Sequence, residues 1–222
     1  MRLGGVIILL LCLVSTVWAE DLGSAVTGEA KTAFLTRWSA QLRGMRSLHM
    51  LFRQEKHLRV LRQPLVAQGE LWLKGDTLLY VLKNVAGETE LMVHLDKQTV
   101  QTYYPLLNTL EVVALQTTRT FPQALPFWYP DPEALARDYE VDLFLDAAGL
   151  HTLRLVPRDA SVAVQETRLV LRDVQPQAFV QVENNGTRVR MQITTFSINP
   201  EVSEAQLALQ VPAGTKVVHP LQ

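Results

Sequence analysis

Apolar residues recur along this chain first at helical spacing and then at alternate positions. Between Lys31 and Leu42, the residues Phe34, Trp38 and Leu42 fall at i, i+4 and i+8 and form one stripe. Thr32 is a candidate N-cap and Gly44 a candidate stop. The spacing predicts an amphipathic helix whose aromatic stripe covers an apolar surface. Ahead of it, Glu20 to Ala30 are small and polar and read as a flexible leader.

After Gly44 the period drops to two. Leu48, Met50 and Phe52 alternate with His49, Leu51 and Arg53. Gln68 to Lys74 is the next strand and ends at the turn pair Gly75-Asp76, and Leu79 and Val81 continue its odd-numbered side. Leu91, Val93 and Leu95 follow, then Val100 to Tyr104. Phe121 to Pro132 breaks the rhythm with its prolines and the run Phe127-Trp128-Tyr129, and Asp131-Pro132-Glu133 opens a short helix to Arg137. Strands resume with Tyr139, Val141, Leu143 and Leu145, turn at Asp146 to Gly149, and return with Leu153 and Leu155. Glu166–Asp173, Phe179–Glu183, Thr187–Thr195 and Leu207–Val211 complete the set, with Asn184-Asn185-Gly186 suited to a type I′ hairpin.

This order predicts a mainly antiparallel β fold with a helical lid, an α+β arrangement of about ten strands in one strongly curved sheet. No composition shift divides residues 20–222, which read as a single domain.

One side of that sheet is oily. Leu71, Leu73, Leu79, Val81, Leu91, Val93 and Leu95 share a side in this reading. So do Val141, Leu143, Leu145, Leu153, Leu155, Val189, Met191 and Ile193 on their strands. The available cover is the Phe34–Trp38–Leu42 helix and the Phe127-Trp128-Tyr129 segment. A residual apolar cavity and a fully filled core are both compatible with that pattern.

The N-terminus carries Arg2, an apolar run from Val6 to Val14, and then Val17-Trp18-Ala19. It reads as a secretory signal peptide cut after Ala19, and the run is too short for a membrane-spanning helix. Cys12, the one cysteine, lies in that run and follows Leu11, where a bacterial lipoprotein would carry Gly or Ala. The exported chain then has no thiol, and hence no disulfide and no cysteine nucleophile.

Charge and motifs narrow the chemistry. With 21 Lys and Arg against 22 Asp and Glu, the net charge of −1 offers no footprint for nucleic acid. His49, His57, His94, His151 and His219 show no helical metal spacing and read as solvent-facing strand residues rather than ligands. Asp142 and Asp146 read as a solvated outer face, not a catalytic pair. There is no Gly-x-Ser-x-Gly elbow and no phosphate-binding glycine loop, so no residue is assigned to catalysis, to a metal or to a cofactor.

The strands also resemble a known family in order. Leu48-His49-Met50-Leu51-Phe52-Arg53-Gln54-Glu55-Lys56 is similar to an aromatic-x-Gln strand, and Gly69-Glu70-Leu71-Trp72-Leu73-Lys74 to a Gly-x-Leu-Trp-x-Lys strand. Asp96 through Tyr104-Pro105-Leu106 resembles an aspartate turn followed by Tyr-x-Pro, and Phe196 to Val217 a closing Phe…Pro-x-Gly-x-x-Val. Together they resemble the LolA-type periplasmic carriers of outer-membrane lipoproteins over nearly all of the exported chain.

The resemblance implies an unclosed β-barrel of about eleven strands, lidded by helices. Its apolar cavity would hold the acyl chains of a lipoprotein or another lipid. Leu71, Leu73, Leu79, Val81, Leu91, Val93, Leu95, Leu143, Leu145, Leu153, Leu155, Met191 and Ile193 would line that cavity with Phe34, Trp38 and Leu42. Phe127, Trp128 and Tyr129 would form the lid. The implied partners are an inner-membrane exporter and an outer-membrane receptor, with the carrier a monomer. One departure is plain: Gly75-Asp76 stand where the carriers have the Arg-Pro whose arginine latches the lid. A non-catalytic envelope sensor or scaffold on the same half-barrel, binding a protein partner, is the alternative reading.

Overall fold

The computed structural model describes residues 22–115 and 132–220. A short strand β1 (Ser24–Val26) leads into helix α1 (Gly28–Arg43). Six strands follow: β2 (Ser47–His57), β3 (Leu65–Lys74), β4 (Thr77–Asn84), β5 (Thr89–Leu95), β6 (Thr99–Tyr104) and β7 (Thr109–Ala114). A 3-10 turn at Pro105–Leu107 joins the last two. Helix α2 (Pro132–Asp138) precedes β8 (Tyr139–Leu145), β9 (Leu150–Pro157), β10 (Val164–Arg172), β11 (Gln175–Glu183) and β12 (Arg188–Ile198). Helix α3 (Glu204–Leu207) and β13 (Lys216–Val218) end the described chain.

All thirteen strands form one sheet in the order β1-β8-β9-β10-β11-β12-β2-β3-β4-β5-β6-β7-β13. The sheet is strongly curved and unclosed, with β1 and β13 as its two edges. Pairing is antiparallel except between β13 and β7. Register shifts in β4–β5, β10–β11 and β12–β2 mark irregularities of the kind that bend and twist a strand.

The count exceeds the ten to eleven expected because β7, which the alternation did not mark, and two short edge pieces, β1 and β13, join the sheet. Ser24–Val26, expected as leader, pairs with Leu143–Leu145. Gly23 permits that approach: its φ is +80°, and a Cβ there would lie 2.2 Å from the Leu145 carbonyl oxygen. Leu207–Val211 is not a strand. Leu207 ends α3, and the edge strand comes later, at Lys216–Val218. α1 starts at Gly28, before Thr32, with Thr27 as its N-cap, and Gly44 ends it with φ −79°, in the right-handed region.

Three hairpins share one loop geometry. Asn84, Asp146 and Glu183 each accept the amide of the residue three positions on, which is Gly87, Gly149 or Gly186, all at positive φ. The β11–β12 connection is therefore a three-residue loop closed by a left-handed glycine, not the expected type I′ turn. Asn185 keeps a negative φ, and its Oδ1 accepts the Thr187 amide at 2.7 Å.

Candidate binding face

The sheet has a front face carrying α1 and a back face carrying α3. On the front, Phe34, Trp38 and Leu42 of α1 pack with Leu135, Tyr139, Leu143, Leu153, Leu155, Leu169 and Leu171 of α2 and β8–β10. All are buried, so this half of the front face is filled by the protein's own side chains. Lys31 Nζ donates to the Val141 carbonyl and pins α1 to β8.

A second cluster lies further along the same face. Leu48, Met50, Phe52, Leu71, Leu73, Leu78 and Leu95 are buried, and Tyr80, Leu82, Val100, Met191, Ile193 and Phe196 pack against them. Met45 and Ile193 touch both clusters and make the apolar face continuous. Past this second core, Tyr80, Leu82, Leu91, Val93 and Val100 are only half-buried. Register places them side by side: Tyr80 faces Val93, Leu82 faces Leu91, and Leu95 faces Val100. They form a strip across β4–β6 that α1 does not reach.

One polar pair on the strip bonds internally. Tyr80 Oη donates to Gln54 Oε1 at 3.2 Å, and burial pushes its hydroxyl pKa well above the ordinary range. At the far edge, burial and the neighbouring Glu111 carboxylate raise that of Tyr104.

Leu79 and Val81 do not belong to this face. Leu73 is paired with Leu78, and Leu71 with Tyr80. The Gly75-Asp76 turn pairs Lys74 with Thr77, so odd residues of β3 face the same way as even residues of β4. Leu79 and Val81 therefore lie on the back face, packed with Val202, Leu207 and Leu209. The front-face positions are Leu78, Tyr80 and Leu82.

The other expected residues divide by location. Phe34, Trp38, Leu42, Leu143, Leu153 and Leu155 form the core under α1, and Leu71, Leu73 and Leu95 floor the strip. Leu91 and Val93 line the strip, and Met191 and Ile193 lie half-buried between the clusters. Leu145 is an exposed rim residue opposite Ser24. Phe127, Trp128 and Tyr129 lie outside the described residues.

The back face explains much of the Gly-x-Leu-Trp-x-Lys pattern. Trp72 stacks on His49 at 3.6 Å, and His49 Nε2 lies 2.9 Å from Glu70 Oε1. Lys74 Nζ donates to the Val202 carbonyl at 2.9 Å and to Glu204 at 3.2 Å, tethering α3 over Leu79. Farther along, Arg154 bridges Asp142 and Glu166, and Arg168 also reaches Glu166. Burial opposes ionisation of Glu166, but the hydrogen bonds from both arginines hold its carboxyl below its usual value. Asp142 thus sits in an ion-pair network, whereas Asp146 is a turn residue accepting the amides of Ala148 and Leu150.

Three histidines depart from the solvent-facing expectation, and His49, covered by Trp72, is one of them. His151 lies under α1, its ring 4.4 Å from that of Phe34, and its Nδ1 is buried without a hydrogen-bond partner. His94 Nδ1 is likewise buried and unpaired. Among the described residues, no group of three His, Cys, Asp or Glu is placed to hold a metal ion. No helix among them is long and apolar enough to cross a membrane.

Among solved structures, the chain is similar to an uncharacterized conserved protein from Thermus thermophilus, with 14% identity and a TM-score of 0.49 over 85% of this chain and 99% of that one. It is also similar to a LolA superfamily protein from Nitrosomonas europaea, with 8% identity and a TM-score of 0.44 over 80% of this chain and 97% of that one. The Pseudomonas aeruginosa MucA/MucB complex is matched at 18% identity and a TM-score of 0.43, over 79% of this chain and 61% of that one. No curated protein matches the chain. Residues 43–209, well over half of the chain, match the family model described as Outer membrane lipoprotein carrier protein LolA, and the chain belongs to the LolA family.

Proposed function

We propose that this protein binds the acyl chains of a lipoprotein, or of a related lipid, against the front face of β4–β6. It carries them through the periplasm from an inner-membrane exporter to an outer-membrane receptor, as a monomer and without a cofactor. The signal peptide is removed after Ala19, and residues 20–222 act as one domain.

The observation that carries this reading is the uneven cover of the front face. α1 seals β8–β10, while Tyr80, Leu82, Leu91, Val93 and Val100 stay half-buried above a floor that includes Leu71 and Leu95. A hydrocarbon tail laid on that strip leaves water at a gain of about 0.8 kcal/mol per CH₂. Two ordinary acyl tails thus supply ample driving force with no covalent step. Handover requires only a partner with a better apolar site. The Phe127-Trp128-Tyr129 segment is the proposed lid over this strip. The family's own description, a lipoprotein carrier of the outer membrane, agrees with the reading.

The test has two stages. The purified protein is analysed for co-extracted acyl lipid by mass spectrometry and titrated with a fluorescent fatty acid. It is then incubated with membranes holding an acylated lipoprotein. Bound lipid, saturable probe binding and release of lipoprotein into the supernatant are expected. Absence of both lipid and probe binding overturns the proposal. Probe binding without release points instead to the sensor or scaffold reading.

A further inference from the structure

Strand register puts the chain turns at two ends of the sheet. His57, Leu65, Asn84, Thr89, Tyr104 and Thr109 lie at one end, the upper one. Lys74, Thr77, Leu95 and Thr99 lie at the lower end.

The two ends differ in chemistry. The upper end carries Val60 and Leu61 in the β2–β3 loop, Leu65 at the start of β3, Val85 in the β4–β5 loop, and Leu106 and Leu107 in the 3-10 turn between β6 and β7. These are six of the nine large exposed aliphatic side chains among the described residues. Val60 is 88% exposed, Leu106 82%, Val85 76% and Leu107 72%, so they project into solvent instead of leaning on the body. The lower turns of the same strands are polar: Gly75-Asp76 and Asp96-Lys97-Gln98. An apolar crown on one end and not the other is not the ordinary scatter of surface aliphatics.

Cations accompany the crown. The β2–β3 loop and its flanks hold Lys56, His57, Arg59 and Arg62 and no acid from Lys56 to Leu65. The next loop adds Lys83, countered by Glu88 and Glu90. Arg59 runs alongside Gly186, its Cδ 2.6 Å from where a glycine Cβ would stand, so the β11–β12 loop adjoins the same rim.

We infer that the upper rim of the sheet docks on an anionic lipid bilayer, with Val60, Leu106 and Leu107 entering the interface and Arg59 and Arg62 meeting the headgroups. The pattern fits a fluid surface better than a protein. The aliphatics are spread over three separate hairpins, and among the described residues no large exposed aromatic projects with them. Protein interfaces concentrate their energy in packed aromatic and arginine anchors, whereas a bilayer requires apolar depth and nearby positive charge but no fixed shape. The front-face strip runs up to this rim. A bilayer contact there would bring the strip to the membrane, but the docking does not depend on the strip holding an acyl chain.

The test uses the chain purified from the envelope of the expressing bacterium. An environment-sensitive dye is attached in separate preparations at Val60→Cys, Leu106→Cys and, as the lower-end control, Asp76→Cys. Vesicles of mixed phosphatidylglycerol and phosphatidylcholine are expected to shift the first two dyes to the blue and leave the third unchanged. Pure phosphatidylcholine is expected to do so about tenfold more weakly. Co-sedimentation with the anionic vesicles should fall about tenfold in Arg59→Glu/Arg62→Glu and in Val60→Asp/Leu106→Asp, with circular dichroism unchanged. A dye response equal at both ends, or none at any site, overturns the inference. So does burial of the upper-end dyes in a dimer, seen by sedimentation without vesicles. Fatty-acid titration of the Val60→Asp/Leu106→Asp variant separates the two proposals: rim docking lost with probe binding kept leaves the acyl site standing.

Discussion

The ring of Phe52 lies directly over Gly69, its cross-strand partner on the front face: a Cβ built at Gly69 would stand 2.0 Å from Phe52 Cζ. The glycine that opens the Gly-x-Leu-Trp-x-Lys strand thus makes room for an aromatic ring on the neighbouring strand. Gly69→Ala is expected to push the ring off this site and destabilise the protein by about 1–3 kcal/mol. Chemical denaturation measures it. Adding Phe52→Leu should recover part of the loss, because the smaller side chain leaves space for the methyl. Additive effects of the two changes would show that the contact is not what makes Gly69 necessary.

The two faces of β4 should separate binding from stability. Leu82→Ser, at the front strip, is expected to weaken fatty-acid probe binding several-fold with a modest stability cost. Leu79→Ala, buried on the back against Val202 and Leu207, should cost about 2–4 kcal/mol and leave probe affinity unchanged. Parallel titrations and urea melts decide it. Equal loss of binding in both would place the ligand elsewhere.

Asn199 is expected to matter for stability although no motif marks it. Its Oδ1 accepts the Arg46 amide at 2.7 Å and the Ser47 amide at 3.3 Å, and its Nδ2 donates to the Gly44 carbonyl at 3.0 Å. It adopts φ +56°, which Asn tolerates better than most residues. It therefore clamps the end of α1 to the end of β12. Asn199→Ala should cost about 2–3 kcal/mol, from lost hydrogen bonds and the strained backbone, and Asn199→Asp less than that. A denaturation midpoint unchanged in Asn199→Ala would show the clamp to be redundant.

His151 should make stability fall on mild acidification. Burial under α1 lowers its pKa, Arg37 lowers it further, and Asp173 and Asp146 only partly compensate. The unfolded chain, with an imidazole pKa of about 6.5, then binds more protons than the folded one. Stability is full above that value and is lost as pH falls from it towards the folded pKa. The urea midpoint of the wild type should therefore drop between pH 7.5 and pH 5.5 by more than that of His151→Leu. A parallel fall in both would assign the effect to other groups. Asp96 and Glu166, whose carboxyls are held low, act only at more acid pH.

How much of this was legible in advance depended on range. Phe34, Trp38 and Leu42 were readable as a core-facing stripe because helical spacing is a property of a few neighbouring residues. The alternation in β3, β5, β8 and β9 was readable for the same reason, and so was the family likeness, which rests on short runs such as Gly69–Lys74. The assignment of Leu79 and Val81 failed at a single turn. Gly75-Asp76 is a two-residue connection, and such a turn exchanges odd for even across a hairpin. The three-residue loop at Asp146–Leu150 does not, and there Leu143, Leu145, Leu153 and Leu155 kept their common face. Turn length was the signal that would have corrected β4.

By itself, then, the order of residues determined where α1 and most of the longer strands form, which residues share a side within each of them, and which family the chain resembles. Tertiary structure alone decided which side is front and which back, where α1 and α3 settle, and that the exposed aliphatics of three distant hairpins gather at one rim. Alternation is a local property of backbone geometry. Facing is set by register between strands far apart in the chain, as where β12 pairs with β2, and by the burial that the whole sheet makes possible.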